Sequence, residues 1–166
     1  NLLAAAAQAA RIDARLHFVL IGSGVEPANA ELAAAIASHD LGSRVHCLGE
    51  RRDIPMLTAG LDIACSASAW GEGFPNVVGE AMACGVPCVV TDTGDSASIV
   101  GEIGEVVAIR DPSALARAIL RLAGMDSVRR AALGVAARAR IVTEFSLKAV
   151  ALRYEAYYCR FLRQGH

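Results

Sequence analysis

Lysine is almost missing from this sequence: its 166 residues hold 15 arginines and one lysine, Lys148. A Walker A loop, G-x-x-x-x-G-K-[ST], is therefore absent. No D-x-D pair offers a divalent-metal site, and no G-x-S-x-G elbow offers a serine nucleophile. His17, His39, His46 and His166 stand apart from one another in the sequence. Charged residues make up only 20% and the net charge is −1, so no basic excess announces a nucleic-acid partner. The five cysteines, Cys47, Cys65, Cys84, Cys88 and Cys159, form no C-x-x-C and no Cys/His cluster. They point to small buried thiols in a reduced, cytoplasmic chain. No apolar run reaches the ~20 residues a membrane span needs. The opening N-L-L-A-A-A-A-Q-A-A lacks the basic n-region of a signal peptide and reads as a helix entered part-way.

What is there is 54% apolar, with 33 alanines. That is too apolar for a disordered chain and long enough for one domain with a real core. The surplus of alanine and arginine reads first as a compositional bias of the genome. Short apolar runs predict strands at 16–21, 45–48, 62–66, 87–91 and 105–109. Between them lie helical signals. Pro27 suits the first turn of a helix with Leu32, Ala35, Ile36 and His39 on its inner face. Asp53 suits the N-cap of a short helix ending near Gly60, and Gly85 the stop of a helix over 76–84. Asp111-Pro112 opens a helix over 114–123, another runs 127–143, and Ser146 caps a last one over 147–162. Tyr154, Tyr157, Tyr158 and Phe161 form a stripe on that last helix, which reads as packing. The expected fold class is α/β: a Rossmann-like open parallel sheet with helices on both faces, since strands this apolar need cover on both sides.

In such sheets, ligands lie beyond the carboxyl ends of the strands. Loops 22–27, 49–53, 70–76 and 92–98 occupy that position. Gly22-Ser23-Gly24 resembles the opening of a dinucleotide fingerprint, but position 27 is proline and no acid follows at the next strand end. A NAD site is not expected. A close backbone approach of Gly22 and Gly24 to some other ligand, or a plain turn, remain the alternatives.

The informative stretch is W-G-E-G-F-P-N-V-V-G-E-A-M-A-C-G-V-P-C, from Trp70 to Cys88. Glu72 falls in the loop and Glu80, eight residues on, on the second turn of the helix. Pro75 is tolerated at a helix start, where its absent N–H costs nothing. The amides of Asn76, Val77 and Val78 should then point out of the helix N-terminus, which carries roughly +0.5 of an elementary charge and suits a phosphate. A carboxylate beside a phosphate repels it, so the two acids should take hydroxyls instead. Sugar, diphosphate and ribose have that layout. Glu72 as a solvated loop acid and Glu80 as a surface charge is the plainer alternative. Against it, Glu80 sits amid Val77, Val78, Ala81 and Met82, and a covered carboxylate needs partners.

This stretch resembles the E-x7-E motif of the retaining GT-B glycosyltransferases of family 4. The segments F-V-L-I-G-S-G, R-V-H-C-L-G-E-R-R-D-I-P-M-L-T-A-G-L-D-I-A-C-S-A-S and E-F-S at 144–146 fall in the family's order. The resemblance implies the C-terminal, donor-binding domain of such an enzyme over residues 1–166, without the N-terminal domain. It also implies that the domain's first strand is lacking, along with the Arg and Lys that its following loop brings to the diphosphate. Glu72 then matches the acid at the donor-sugar hydroxyls and is the catalytic candidate. Glu80 matches the acid at the ribose. Gly73, Phe74, Pro75, Asn76, Val77 and Val78 match the diphosphate loop, with Gly22 and Gly24 beside it. Glu50, Arg51, Arg52, Asp53 and Ile54 match the segment along the base. Where the family often has a second Gly and a Glu after Thr93-Gly94, this chain has Asp95 and Ser98.

The implied substrate is a nucleotide diphosphate sugar, with no cofactor and no metal. The implied acceptor is a glycan or a lipid-linked sugar, held mainly by the N-terminal domain, through which a peripheral contact with the inner face of the membrane is expected. The isolated chain should be inert. Two other readings share the fold. One is a sugar-nucleotide epimerase or phosphorylase, the latter disfavoured by the single lysine. The other is a non-catalytic nucleotide-sugar-binding module.

Overall fold

A computed structural model describes residues 1–71 and 73–163. In chain order the elements are α1 (Leu2–Ile12), β1 (Phe18–Leu20), α2 (Ala30–Ser38), β2 (Val45–Cys47), α3 (Ile54–Ala59), β3 (Ala64–Ser66) and α4 (Asn76–Ala83). There follow β4 (Cys88–Thr91), α5 (Ser96–Val100), a 3-10 turn (Gly101–Ile103), β5 (Glu105–Val107), α6 (Pro112–Ala123), α7 (Ser127–Arg140), a π-turn (Ile141–Phe145) and α8 (Leu147–Arg163).

All strand pairs are parallel, and parallel neighbours need long crossovers of the kind the intervening helices provide. β1 pairs with β2, setting Phe18 opposite Val45 and Leu20 opposite Cys47. β3, β4 and β5 pair in that order, with Cys65 opposite Val89 and Val90 opposite Val106. The single sheet expected from the sequence is therefore in two pieces, because no ladder joins β1 to β3.

β4 is the centre of the core and is buried at every position. Its Val89 packs with Ala5 and Ala9 of α1 and with Leu115, Ala118 and Leu122 of α6. Cys88 and Val90 pack on the other side with Val78 and Met82 of α4, Ile99 of α5 and Ala137 of α7. Helices thus cover both faces of β4. The β1–β2 pair is covered on one face only: Phe18, Val45 and Cys47 meet α1 and α2, while Val19 and His46 are exposed. Losing one cover shortens the expected 16–21 strand to three residues.

Local signals set most helix ends. Asp111 accepts from the Ala114 amide at 2.8 Å and Ser146 Oγ from Ala149 at 3.2 Å, as their positions suggest. α2 starts later than Pro27 because Asn29 is its cap, accepting from Leu32 N at 3.1 Å; Leu32, Ala35, Ile36 and His39 do form its inner face. Asp53 stands at the N-cap of α3, yet its side chain makes no cap bond and is taken by Arg51 instead. α7 stops at Arg140, three residues before the predicted end. There the Arg140 guanidinium turns to donate to Ile99 O (2.9 Å) and Ser98 O (2.8 Å) at the end of α5.

The aromatic stripe of α8 does not pack on the core. Tyr154, Tyr157, Tyr158 and Phe161 are 60–68% exposed and stack on one another, Tyr157 on Phe161 with ring centres 6.3 Å apart. α8 leaves the body at Phe145, and beyond Val150 none of its described side chains is covered.

Burial also sorts the thiols. The Cys65 and Cys88 thiols are pushed up to about 12 by desolvation, the latter also by Cys65. Cys159 is exposed on α8. The thiolate is the nucleophile, so iodoacetamide at pH 8 should alkylate Cys159 first and leave Cys65 and Cys88 untouched in the folded chain. Peptide mass spectrometry after short labelling reads the order.

Candidate functional site

The predicted ligand loops meet in two pairs at the carboxyl ends of the strands. Gly22 N donates to Gly49 O (2.9 Å) and Gly49 N to Val25 O (3.2 Å), joining loops 22–27 and 49–53. Asp95 N donates to Gly73 O (3.4 Å), joining loops 70–76 and 92–98. Gly22 and Gly24 have φ of 134° and 79°, a region that favours glycine, so both serve the turn after β1. Glu26 Oε1 accepts from Gly24 N at 3.0 Å and helps hold that turn.

A groove of about 750 Å³ runs between β1 and β3 and opens at this end. Gly22, Glu50, Arg51 and Ile54 line one side, and Val77, Val78 and Glu80 of α4 the other. Of the predicted site residues, Gly24, Arg52, Asp53, Gly73, Phe74, Pro75 and Asn76 do not line it. Glu72 lies outside the described residues, as does His166.

Arg51 is oriented by Asp53: Nε and Nη2 donate to the two carboxylate oxygens at 2.8 and 2.7 Å. Such a fork fixes the plane of the guanidinium. Arg51 holds the Asp53 carboxyl below its usual range. Asp53 thereby acts on Arg51 and is taken away from the groove.

The start of α4 differs from expectation in two ways. Pro75 is the N-cap ahead of the expected first helical residue, Asn76, but Val78 N already donates to Pro75 O at 3.0 Å. Of the three amides predicted to face a ligand, those of Asn76 and Val77 remain, without partners among the described residues. No acid stands in the first turn to neutralise that end of the helix.

Glu80 is the second difference. It is exposed and has no partner among the described residues, so the expectation of a covered, partnered carboxylate fails. The reason is the stripe that α4 buries, Val78, Gly79, Ala81 and Met82. Residues three apart share a helix face, which puts Glu80 with Val77, 62% exposed, on the side turned to the groove.

Phe74 contributes more than a backbone. Its ring covers Gly79, where a Cβ would lie 2.9 Å from Cε1, and leans on Phe145 with ring centres 5.6 Å apart. Arg140 and Arg153 flank the Phe145 ring at 5.7 and 5.9 Å. This clamp fixes the loop ahead of α4. Sequence reasoning missed it; the E-F-S at 144–146 was its only trace.

His17 and His46, taken as isolated, are neighbours across β1–β2, Nδ1 to Nε2 at 3.0 Å. Among the described residues no three His, Cys, Asp or Glu gather as a metal site, and no helix is long and apolar enough to cross a membrane.

Residues 1–124 match the family described as glycosyl transferases group 1. The chain belongs to that family. Among its relatives are the N-acetyl-alpha-D-glucosaminyl L-malate synthase of Bacillus anthracis, 29% identical over 92% of this chain and 39% of that protein, and a GDP-mannose-dependent phosphatidylinositol monomannoside mannosyltransferase of Corynebacterium glutamicum, 35% identical over 83% and 37%. The chain thus spans well under half the length of these curated relatives. Among solved structures, Anabaena Alr3699/HepE in complex with UDP superimposes with a TM-score of 0.82 at 27% identity, covering 96% of this chain and 44% of that one; the same protein is also known with UDP-glucose. The architecture of this group 1 glycosyltransferase chain is accordingly α/β, one half of a GT-B fold.

Proposed function

We propose that this chain is the donor-binding half of a retaining glycosyltransferase that moves a sugar from a nucleotide diphosphate to an acceptor hydroxyl. The observation that carries it is the exposed Glu80, without a partner among the described residues, which lines the groove from the helix whose open first amides are those of Asn76 and Val77. The UDP and UDP-glucose complexes of Alr3699/HepE support a nucleotide-sugar ligand.

In this reading the diphosphate lies at the N-terminus of α4. The Asn76 and Val77 dipoles stabilise negative charge as the C1–O bond to the phosphate breaks. Glu80 accepts from the ribose hydroxyls, and the Arg51 side of the groove borders the base. Glu72 faces the sugar hydroxyls and the positive charge growing at C1. The acceptor hydroxyl attacks the face the phosphate leaves, which retains configuration, and passes its proton to the departing phosphate oxygen. No step is assigned to a metal. A glycan or lipid-linked acceptor would be held by residues outside this chain, at the cytoplasmic side of a membrane.

Glu80→Ala in the whole enzyme should remove a charged hydrogen bond to the nucleotide, about 1.5–3 kcal/mol. Calorimetry with the bare nucleoside diphosphate reads this as roughly 10- to 150-fold weaker binding. Unchanged affinity would overturn the ribose assignment.

A further inference from the structure

We infer that Trp70 is a platform on which a pyranose ring of the acceptor stacks, with the Arg110 guanidinium backing the opposite face of the indole. The inference rests on the donor-site reading above, because it takes Glu72 as the residue at the donor sugar.

Trp70 is the only tryptophan of the sequence and is 74% exposed. Tryptophan is large and well covered on average. This one stands on the loop after β3, at the carboxyl end of the sheet, where ligands lie in such folds. The loop is pinned at its root: Thr91 Oγ1, buried at the end of β4, donates to Ser68 O at 2.7 Å. On the far side of β4, the end of β5 is tied in as Asp92 N donates to Val107 O at 2.8 Å. Arg110 follows β5, and its guanidinium carbon lies over the Trp70 ring, 5.2 Å from the ring centre. To reach it, Arg110 adopts φ of 58°, which residues with a Cβ seldom do. Among the described residues Arg110 has no ion pair and no side-chain hydrogen bond. The cation thus orients the indole from one face and leaves the other open.

The open face selects the ligand. An aromatic face carries partial negative charge, so it attracts weakly positive C–H groups. A pyranose presents axial C–H groups on its flat sides and hydroxyls around its rim. Stacking covers the first, and the N–H groups of Arg110 can donate to the second. Three rings meet in the reaction: base, donor sugar and acceptor. The base is excluded by place, since Trp70 does not line the groove that Glu80 and Arg51 line. The donor sugar belongs to Glu72, two residues on, a step of chain that reaches about 7 Å at most. The next ring, joined to the donor sugar in the product, is the acceptor's. A stacking face asks only for a flat ring, so Trp70 contributes affinity for pyranosides as a class and little choice among them.

The test uses the whole enzyme and the methyl α-pyranosides of glucose, mannose and N-acetylglucosamine, with mannitol as an acyclic polyol control. Fluorescence is excited where tryptophan alone absorbs, and the share of Trp70 is the response that Trp70→Phe removes. Binding is measured in parallel by saturation-transfer NMR. At least one pyranoside should change the Trp70 emission saturably, and mannitol should not. Trp70→Leu should weaken that pyranoside about 10-fold or more, while Trp70→Phe, which keeps a flat ring, stays within about 3-fold of the parent. Both variants should bind the bare nucleoside diphosphate as the parent does. No response to any pyranoside, an equal response to mannitol, or equal pyranoside binding by the parent and Trp70→Leu would overturn the stacking and leave the donor site standing. A change at Trp70 caused by a nucleoside diphosphate sugar and not by the bare diphosphate would give the platform to the donor ring and overturn the acceptor assignment. A parent that binds none of UDP, GDP and ADP would bring down the donor-site reading, and this inference with it.

Discussion

Glu72→Gln in the whole enzyme is expected to slow sugar transfer about 100-fold or more, the scale of a lost electrostatic contact at a reacting centre. The bare nucleoside diphosphate should bind as before, because it has no sugar ring for the carboxylate to touch. Amide for carboxylate keeps the shape and the acceptor oxygen while removing the charge. The loss therefore isolates the part Glu72 plays for charge at C1. Steady-state kinetics at saturating donor, paired with calorimetry of the bare diphosphate, separates the two effects. A variant that turns over normally but binds the diphosphate poorly would show that the roles of Glu72 and Glu80 are exchanged.

Gly134→Val should be among the most destabilising single changes in the described chain. On α7, Gly134 lies so close to the turn at Gly85 that a Cβ there would overlap the Gly85 carbonyl oxygen. The obstacle is backbone, so it cannot swing aside. α7 is also tied to this turn by the Arg138 guanidinium, which donates to Ala83 O. Leaving glycine inside a helix gains up to ~1 kcal/mol of propensity, less for a β-branched residue. Overpacking costs about 1–3 kcal/mol and occasionally more, so the overlap wins. At roughly 2–4 °C per kcal/mol for a chain of this size, a net loss of about 1–2 kcal/mol should lower Tm by about 2–8 °C. Val135→Ala, at a neighbour 72% exposed, should leave Tm within a degree or two. Equal melting of the two variants and the parent would refute the close approach.

Much of the fold could be read from local sequence because its signals are local. Apolar runs marked every strand, and Asp111, Ser146 and Gly85 marked helix ends through bonds or turns within a few residues. Strand lengths were overestimated at the sheet's margin, since whether Leu16 or Ile109 joins a ladder depends on cover from distant residues. The stripe on α8 misled for a related reason: spacing shows that a helix has an apolar face, not what meets it. At the candidate site, Glu80 and the start of α4 lie on one short helix. The expectation that Glu80 is covered took neighbouring apolar letters for cover. Val78, Ala81 and Met82 point into the core, while Val77 and Glu80 share the other face. The Phe74–Phe145 clamp joins residues 71 positions apart and the His17–His46 pair residues 29 apart, separations that no periodicity reports.

The seam between α1 and α6 changes the meaning of the alanine surplus. Ala5 and Ala9 of α1 and Ala116 and Ala118 of α6 are 0–3% exposed and sit in one cluster with Val89. An alanine has no rotamers to lose on burial, whereas each buried leucine or isoleucine gives up about 0.5–1 kcal/mol of side-chain freedom. Each alanine also removes little apolar area from water, so its gain is small, but nearly all of that gain is kept. The two helices can thus close on each other with almost no ordering of side chains, and the entropy lost along this seam is that of the backbone alone.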